Sequence, residues 1–267
     1  MFPLLFKFPE SIPLIGGKAI HTYGVLAATG FLVGLAWVRY ESKRLGLPVQ
    51  KIVDLFFYIV ASAIIFSRVL YVVTIIPNWW TDPLVFFKVW EGGLIFYGGL
   101  IGAVVTSLWY CRKHRLSFLS VADIFSPGIA LGHVFGRLGC FSAGCCYGRE
   151  APLDALFSVT FPKNEYSLAP AGHALYPNQL FEAVVELAIF FFLLLFRKRK
   201  KFEGEVFLFY IVLYPAARAF LEIYREAEVR GVLIGGVVSI AQIISVLWMV
   251  VALVVWLGIL RRKSPAK

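Results

Sequence analysis

Arg137 lies within HVFGRLGCFSAGCCYG (133–148), at the far end of an apolar stretch that starts near Leu119 and is long enough to cross a bilayer. A guanidinium in that setting needs an anionic partner. Gly132, Gly136, Gly139, Gly144 and Gly148 surround it and would let backbone or a lipid headgroup come close. The chemistry implied is phosphate binding in a membrane enzyme. Other charges fall inside apolar runs as well: Arg68, Glu182, Glu186, Arg218 and Glu222. Such residues face a bundle interior and pair with one another or with a ligand. The plain alternative is an internal ion pair, such as Arg68 with Glu182 or the i,i+4 pair Arg218 with Glu222. For Arg137 a ligand is expected instead, because glycine-rich surroundings are poor neighbours for a buried ion pair.

The elements that must hold these residues are transmembrane helices. Hydrophobic residues make up 60% of the 267, charged residues only 16%, and mean hydropathy is +0.78, outside the range of soluble domains. Apolar runs fit a hydrocarbon core of ~30 Å at about 20–38, 53–76, 94–111, 119–141, 179–196, 205–224 and 237–260. The expected fold is therefore all-α: a polytopic bundle of about seven spans in a single integral-membrane domain over 1–267. An external insertion at about 142–178, rich in proline and poor in helical periodicity, would form a small cap. The aromatic stretch PNWWTDPLVFFKVW, within 77–93, would lie along the interface as an amphipathic arm. The first twenty residues hold Lys7, Glu10, Lys18 and three prolines and do not read as a signal peptide.

Every second junction is basic. Arg39, Lys43, Arg44 and Lys51 follow the first span, and Arg112, Lys113 and Arg115 the third. Arg197, Lys198, Arg199, Lys200 and Lys201 follow the fifth, and Arg261, Arg262, Lys263 and Lys267 the seventh. The positive-inside rule puts these junctions in the cytoplasm, the N-terminus outside and the C-terminus inside. Trp79, Trp80 and Trp90 at outer junctions, and Trp37 with Tyr40 at an inner one, fit interfacial belts. The formal charge of +10 is thus explained by topology and attraction to anionic membrane lipid, and no nucleic-acid partner is expected.

The segment GRLGCFSAG resembles the signature of the prolipoprotein diacylglyceryl transferases, whose glycine-arginine-hydrophobic-glycine core usually continues with asparagine, phenylalanine and a short polar run. Further pieces follow in that family's order: HTYG (His21–Gly24), WEGGLIFYGGLIG (Trp90–Gly102), YPNQLFE (Tyr176–Glu182) and YPAARAFLEIYR (Tyr214–Arg225). The resemblance covers nearly the whole chain and implies seven helices, an outside N-terminus and an external cap. It also implies an activity in the bacterial cytoplasmic membrane: transfer of diacylglyceryl from phosphatidylglycerol to the lipobox cysteine of prolipoprotein signal peptides, with glycerol phosphate leaving. Neither a cofactor nor a metal belongs to that expectation.

Carried over residue by residue, the resemblance assigns Arg137 to the phosphatidylglycerol headgroup and Arg218 to the departing phosphate. Tyr23 matches a tyrosine of the family's site. Gly136, Gly139, Cys140, Gly144, Arg68, Gln179, Glu182, Tyr214, Glu222 and Arg225 complete the expected substrate-binding set. The chain departs from the family at Tyr97, in GGLIFYGG, where better-known members carry histidine. A thiol with pKa about 8.5 needs only modest help, so Tyr97 orients or deprotonates it, or His21 serves as the base. Cys140 stands for the usual asparagine, and Cys145 for the glutamate after the glycine.

Four cysteines, Cys111, Cys140, Cys145 and Cys146, open a rival reading as a thiol-redox protein or a metal site. Adjacent Cys145 and Cys146, the lack of C-x-x-C, and His133 as the one histidine nearby argue against both. Small-residue packing, a disulfide from Cys140 to Cys145 or Cys146, and a metal or catalytic thiol all stay open. A small-anion transporter or channel is a further alternative. It would call for broken helices in matching halves, and the sequence shows no such halves.

Overall fold

A computed structural model describes residues 3–11, 17–152, 155–225, 232–234 and 238–263. Seven α-helices run through it: α1 (Thr22–Arg44), α2 (Val49–Ile75), α3 (Phe96–His114), α4 (Phe118–Ala143), α5 (Asn178–Phe196), α6 (Glu205–Leu221) and α7 (Ile240–Lys263). Six of them are long and apolar enough to cross a membrane. The seventh, α3, is diluted by Gly98, Gly99 and Gly102 and by a basic last turn of Arg112, Lys113 and His114. Each expected span has its helix, within about four residues at either end except that α1 runs on past 38 to Arg44. Residue 237 of the last expected span and Lys267 lie outside the described residues.

Two compact units divide the chain: residues 1–37 with 125–267, and residues 38–124. In the smaller unit α2 packs on α3 along a glycine face. A Cβ on Gly102 would come 2.7 Å from the Ser62 carbonyl oxygen and 2.9 Å from the Phe66 Cβ. Small residues allow this approach, which supplies the dispersion contacts that replace the hydrophobic effect within lipid. Arg68, buried on α2, donates to the Val85 carbonyl from Nη2 at 2.7 Å and from Nε at 3.2 Å, and to the Gly92 carbonyl from Nη1 at 2.5 Å. Its fork is thus occupied by backbone of the 77–93 segment, which winds as three short 3₁₀ turns at Trp79–Thr81, Pro83–Phe87 and Val89–Glu91. Asp82 caps the second turn through the Leu84 N–H, and its hydrogen bond from Lys88 holds its carboxyl below the usual carboxylate range.

In the larger unit, α4, α5 and α6 share a core of Ala130, Ile189, Phe190, Leu193 and Val206. Phe196 and Phe209 meet at 4.4 Å between ring centroids, and Phe209 meets Trp256 of α7 at 4.7 Å. Gly30 of α1 lies so near α4 that a Cβ there would sit 2.9 Å from the Gly132 carbonyl oxygen. Between α4 and α5 no helix forms among the described residues. A two-residue hairpin instead pairs β3 (Val159–Thr160) with β4 (Ala174–Leu175). Two other short hairpins join β1 (Leu4–Lys7) to β2 (Ala19–His21), and β5 (Val232–Ile234) to β6 (Val238–Ser239).

Candidate functional site

The charged residues of the larger unit converge because each pair is spaced by one helical turn. His133 and Arg137 stand four apart on α4, Glu182 and Glu186 four apart on α5. The Arg137 guanidinium meets Glu182 at 2.7 Å, and the His133 imidazole meets Glu186 at 2.6 Å. The lower-numbered residue of one helix pairs with the higher-numbered residue of the other, so the two helices run antiparallel where they touch. From α6, Arg218 lies 2.6 Å from Glu222 and 3.7 Å from Glu182, and Arg225 lies 3.9 Å from Glu222. Asn178 Nδ2 donates to Glu182 at 3.2 Å.

Arg137 therefore does occupy a buried ion pair, contrary to the expectation drawn from its glycines. The reason is where those glycines point. Gly132 packs on Gly30, Gly139 on Tyr23, and Gly148 on Tyr176 and Tyr224, so most of them serve protein contacts. Gly136 differs: among the described residues, and apart from its chain neighbours and its own helix's backbone, no atom lies within 4 Å of where its Cβ would stand. The expected pair of Arg218 with Glu222 is present. The one suggested for Arg68 with Glu182 is replaced at both ends, by carbonyls for Arg68 and by Arg137 for Glu182.

Three guanidiniums and two carboxylates, Glu182 and Glu222, make up the Arg137–Arg218–Arg225 cluster. Both carboxylates are at most 4% exposed. The surplus positive charge in a water-poor place favours an anion, and planar guanidinium forks favour a carboxylate or phosphate. Tyr214 adds a ring 5.2 Å from that of His133 and stacks on Tyr210 at 5.8 Å. The His133–Glu186 pair is a feature the sequence reading missed. Its signal was present: one turn before Arg137 and one turn after Glu182.

The other candidates sit as follows. Tyr23 lines the approach to Gly139. His21, at the end of β2, is exposed and meets Tyr166 edge to face at 6.0 Å. Tyr97, in the first turn of α3, belongs to the smaller unit, is 45% exposed and touches Phe96 edge to face.

The cysteines hold the largest surprise. Helix α4 ends in a Schellman stop: Gly144 takes φ +70°, its N–H reaches the Phe141 carbonyl at 3.2 Å, and the Cys145 N–H reaches the Cys140 carbonyl at 3.1 Å. That closure brings residues 140 and 145 side by side. Cys146 follows at φ +59°, a left-handed conformation uncommon for a non-glycine residue. Buried Gln179 donates from Nε2 to the Cys145 carbonyl at 2.6 Å and fixes the turn. All three sulfurs consequently lie within 4.8 Å of one another, as free thiols. Spacing alone did not show this shared thiol site, because the helix stop folds a C-x4-C-C run into a cluster. Hydrogen bonds from Cys140 and Cys145 hold the Cys146 thiol well below the usual thiol range, with Arg137 and Arg225 acting the same way. The same hydrogen bonding raises Cys145.

A family model described as prolipoprotein diacylglyceryl transferase matches residues 9–258. Among similar proteins is a phosphatidylglycerol–prolipoprotein diacylglyceryl transferase from Geobacillus kaustophilus, 34% identical over 95% of this chain and 93% of its own length. Proteins of the same description from Halalkalibacterium halodurans (33%, over 91% and 83%) and Clostridium perfringens (32%, over 87% and 88%, there numbered 2) are also similar.

Proposed function

The chain belongs to the prolipoprotein diacylglyceryl transferase family, and from that premise we propose that it moves diacylglyceryl from phosphatidylglycerol to a prolipoprotein at the arginine–glutamate cluster of its larger unit. The observation that carries this assignment is three guanidiniums held by two nearly buried carboxylates, next to the open space at Gly136. Arg137 takes the headgroup phosphate of phosphatidylglycerol, with Glu182 fixing its orientation. Arg218, held by Glu222, stabilises the phosphate as it leaves. Gly139, Tyr23, Tyr214, Gln179 and Arg225 shape the surroundings. The family does not favour a small-anion transporter, a channel or a thiol-redox protein.

In the reaction the thiolate of the acceptor, the lipobox cysteine of the signal peptide, supplies the electron pair for a new S–C bond to the glyceryl carbon. The C–O bond to phosphate breaks, and glycerol phosphate departs with its electrons and one further negative charge. Guanidiniums set where that charge develops lower the barrier without reorganisation. Tyr97 is assigned to orient the thiol from its place in the glycine-flanked segment alone.

Six apolar helices make the protein a multi-pass membrane protein. The alternation of basic junctions supports a bacterial cytoplasmic membrane location with the N-terminus outside and the C-terminus inside. Transfer of diacylglyceryl from labelled phosphatidylglycerol to a lipobox peptide by purified protein tests the function. Label on the cysteine peptide and none on its serine analogue is expected; no label on either would overturn it.

A further inference from the structure

We propose that Cys140, Cys145 and Cys146 form a three-thiolate site for a thiophilic divalent cation of the zinc type, whose open fourth position takes the sulfur of the acceptor cysteine. The site is built by the fold. A Schellman stop pairs Cys140 with Cys145, a left-handed residue turns Cys146 back, and buried Gln179 clamps the loop. Zinc–sulfur bonds of about 2.3 Å at tetrahedral angles need sulfurs about 3.8 Å apart. Free sulfurs within 4.8 Å of one another reach that by small side-chain rotations. Three thiolates around a divalent cation sum to one negative charge, and Arg137 and Arg225 lie within electrostatic range of Cys146.

Three protein ligands leave one position open, as in catalytic rather than structural zinc sites. The incoming group is itself a thiol, and a coordinated thiol is deprotonated outright. The acceptor would lose its proton to water on binding the ion. Its metal-held sulfur would then supply the pair for the S–C bond while the C–O bond breaks toward glycerol phosphate. The neutral thioether formed is a weaker ligand and dissociates. No oxidant or reductant enters. Such a site would supply the thiol activation for which this chain, with Tyr97, lacks the family's histidine. The fourth-ligand role rests on the transferase reading; the three-thiolate site does not.

Reduced, chelator-treated protein titrated with Cd2+ tests the site through thiolate-to-cadmium charge-transfer absorption. One Cd2+ per chain is expected, with affinity at least tenfold weaker in Cys145→Ser and in Cys146→Ser and unchanged in Cys111→Ser, the buried thiol of the smaller unit. A cysteine-containing lipobox peptide should raise the absorption by about one third, as a fourth thiolate joins three, and its serine analogue should not. Chelation should slow lipid transfer and Zn2+ restore it. Absorption indifferent to both serine variants, or a disulfide found among the three cysteines in the active protein, would overturn the site. Transfer that proceeds at full rate in chelator, with no peptide effect on absorption, would remove the catalytic role and leave the transferase reading intact. Failure of metal-replete protein to transfer lipid would sink that reading without touching Cd2+ binding.

Discussion

Arg137 keeps its planar fork in register through Glu182, at 2.7 Å. Lysine in its place would retain charge but lose bidentate contact to phosphate, so Arg137→Lys should lower kcat/KM on the order of 10². Arg137→Ala should approach inactivity while the protein still folds, because Arg218 and Asn178 remain beside Glu182. Near-normal lipid transfer by the alanine variant would remove the headgroup assignment. His133 poses a different question, since Glu186 is 1% exposed and His133 is the partner it meets at 2.6 Å. His133→Ala removes the group that pairs directly with that buried carboxylate, at a cost of about 3 kcal/mol. Adding Glu186→Gln should recover much of the loss, and thermal unfolding of the two single variants and the double in detergent would measure the coupling. Tyr97→Phe should lower turnover several-fold, with phosphatidylglycerol affinity unchanged. Turnover within about twofold of the parent from pH 6 to 9 would reduce Tyr97 to a packing residue.

At the scale of the helix, charges spaced by one turn were legible as residues facing a bundle interior, because period and burial follow from geometry. Their partners were not. Which carboxylate meets Arg137 depends on the antiparallel pairing of α4 with α5, and no local pattern states it. The glycines illustrate the same limit: identical residue types serve helix contact at Gly102 and Gly132 but leave open space at Gly136. Two substitutions separate these roles. Gly102→Val pushes a branched side chain into the Ser62 carbonyl and Phe66, and should destabilise the α2–α3 pair by about 1–3 kcal/mol. Gly136→Ala meets no described atom beyond its own helix and should leave the melting temperature unchanged, yet lower lipid transfer if the headgroup passes beside Arg137. A melting loss at Gly136 equal to that at Gly102 would show that position to be packing as well. The thiol cluster was hidden for a related reason. Spacing rules assume ligands on one turn or one hairpin, whereas this one is made by a Schellman stop followed by a left-handed cysteine.

For the whole molecule, hydropathy located the helices because a bilayer demands about 20 apolar residues with every backbone group satisfied internally. Only α3 falls short of the others, and glycines with a basic end explain it. Orientation depends on a different signal, the asymmetry of lysine and arginine between loops, which acts during insertion and leaves no trace in side-chain contacts. It is testable at two exposed lysines, Lys163 between α4 and α5 and Lys198 just after α5. Single cysteines there, in protein whose four native cysteines are serine, should respond oppositely to a membrane-impermeant maleimide in intact cells: Lys163→Cys should label and Lys198→Cys should label only after lysis. Because a single helix, α5, separates the two positions, an odd number of crossings must lie between them if α5 spans the bilayer. Labelling of both from outside would mean that α5 does not cross. A full reversal would instead turn the basic junctions outward and put the thiol cluster and the arginine cluster's outer end on the cytoplasmic side, where a prolipoprotein's cysteine would have to meet them before export.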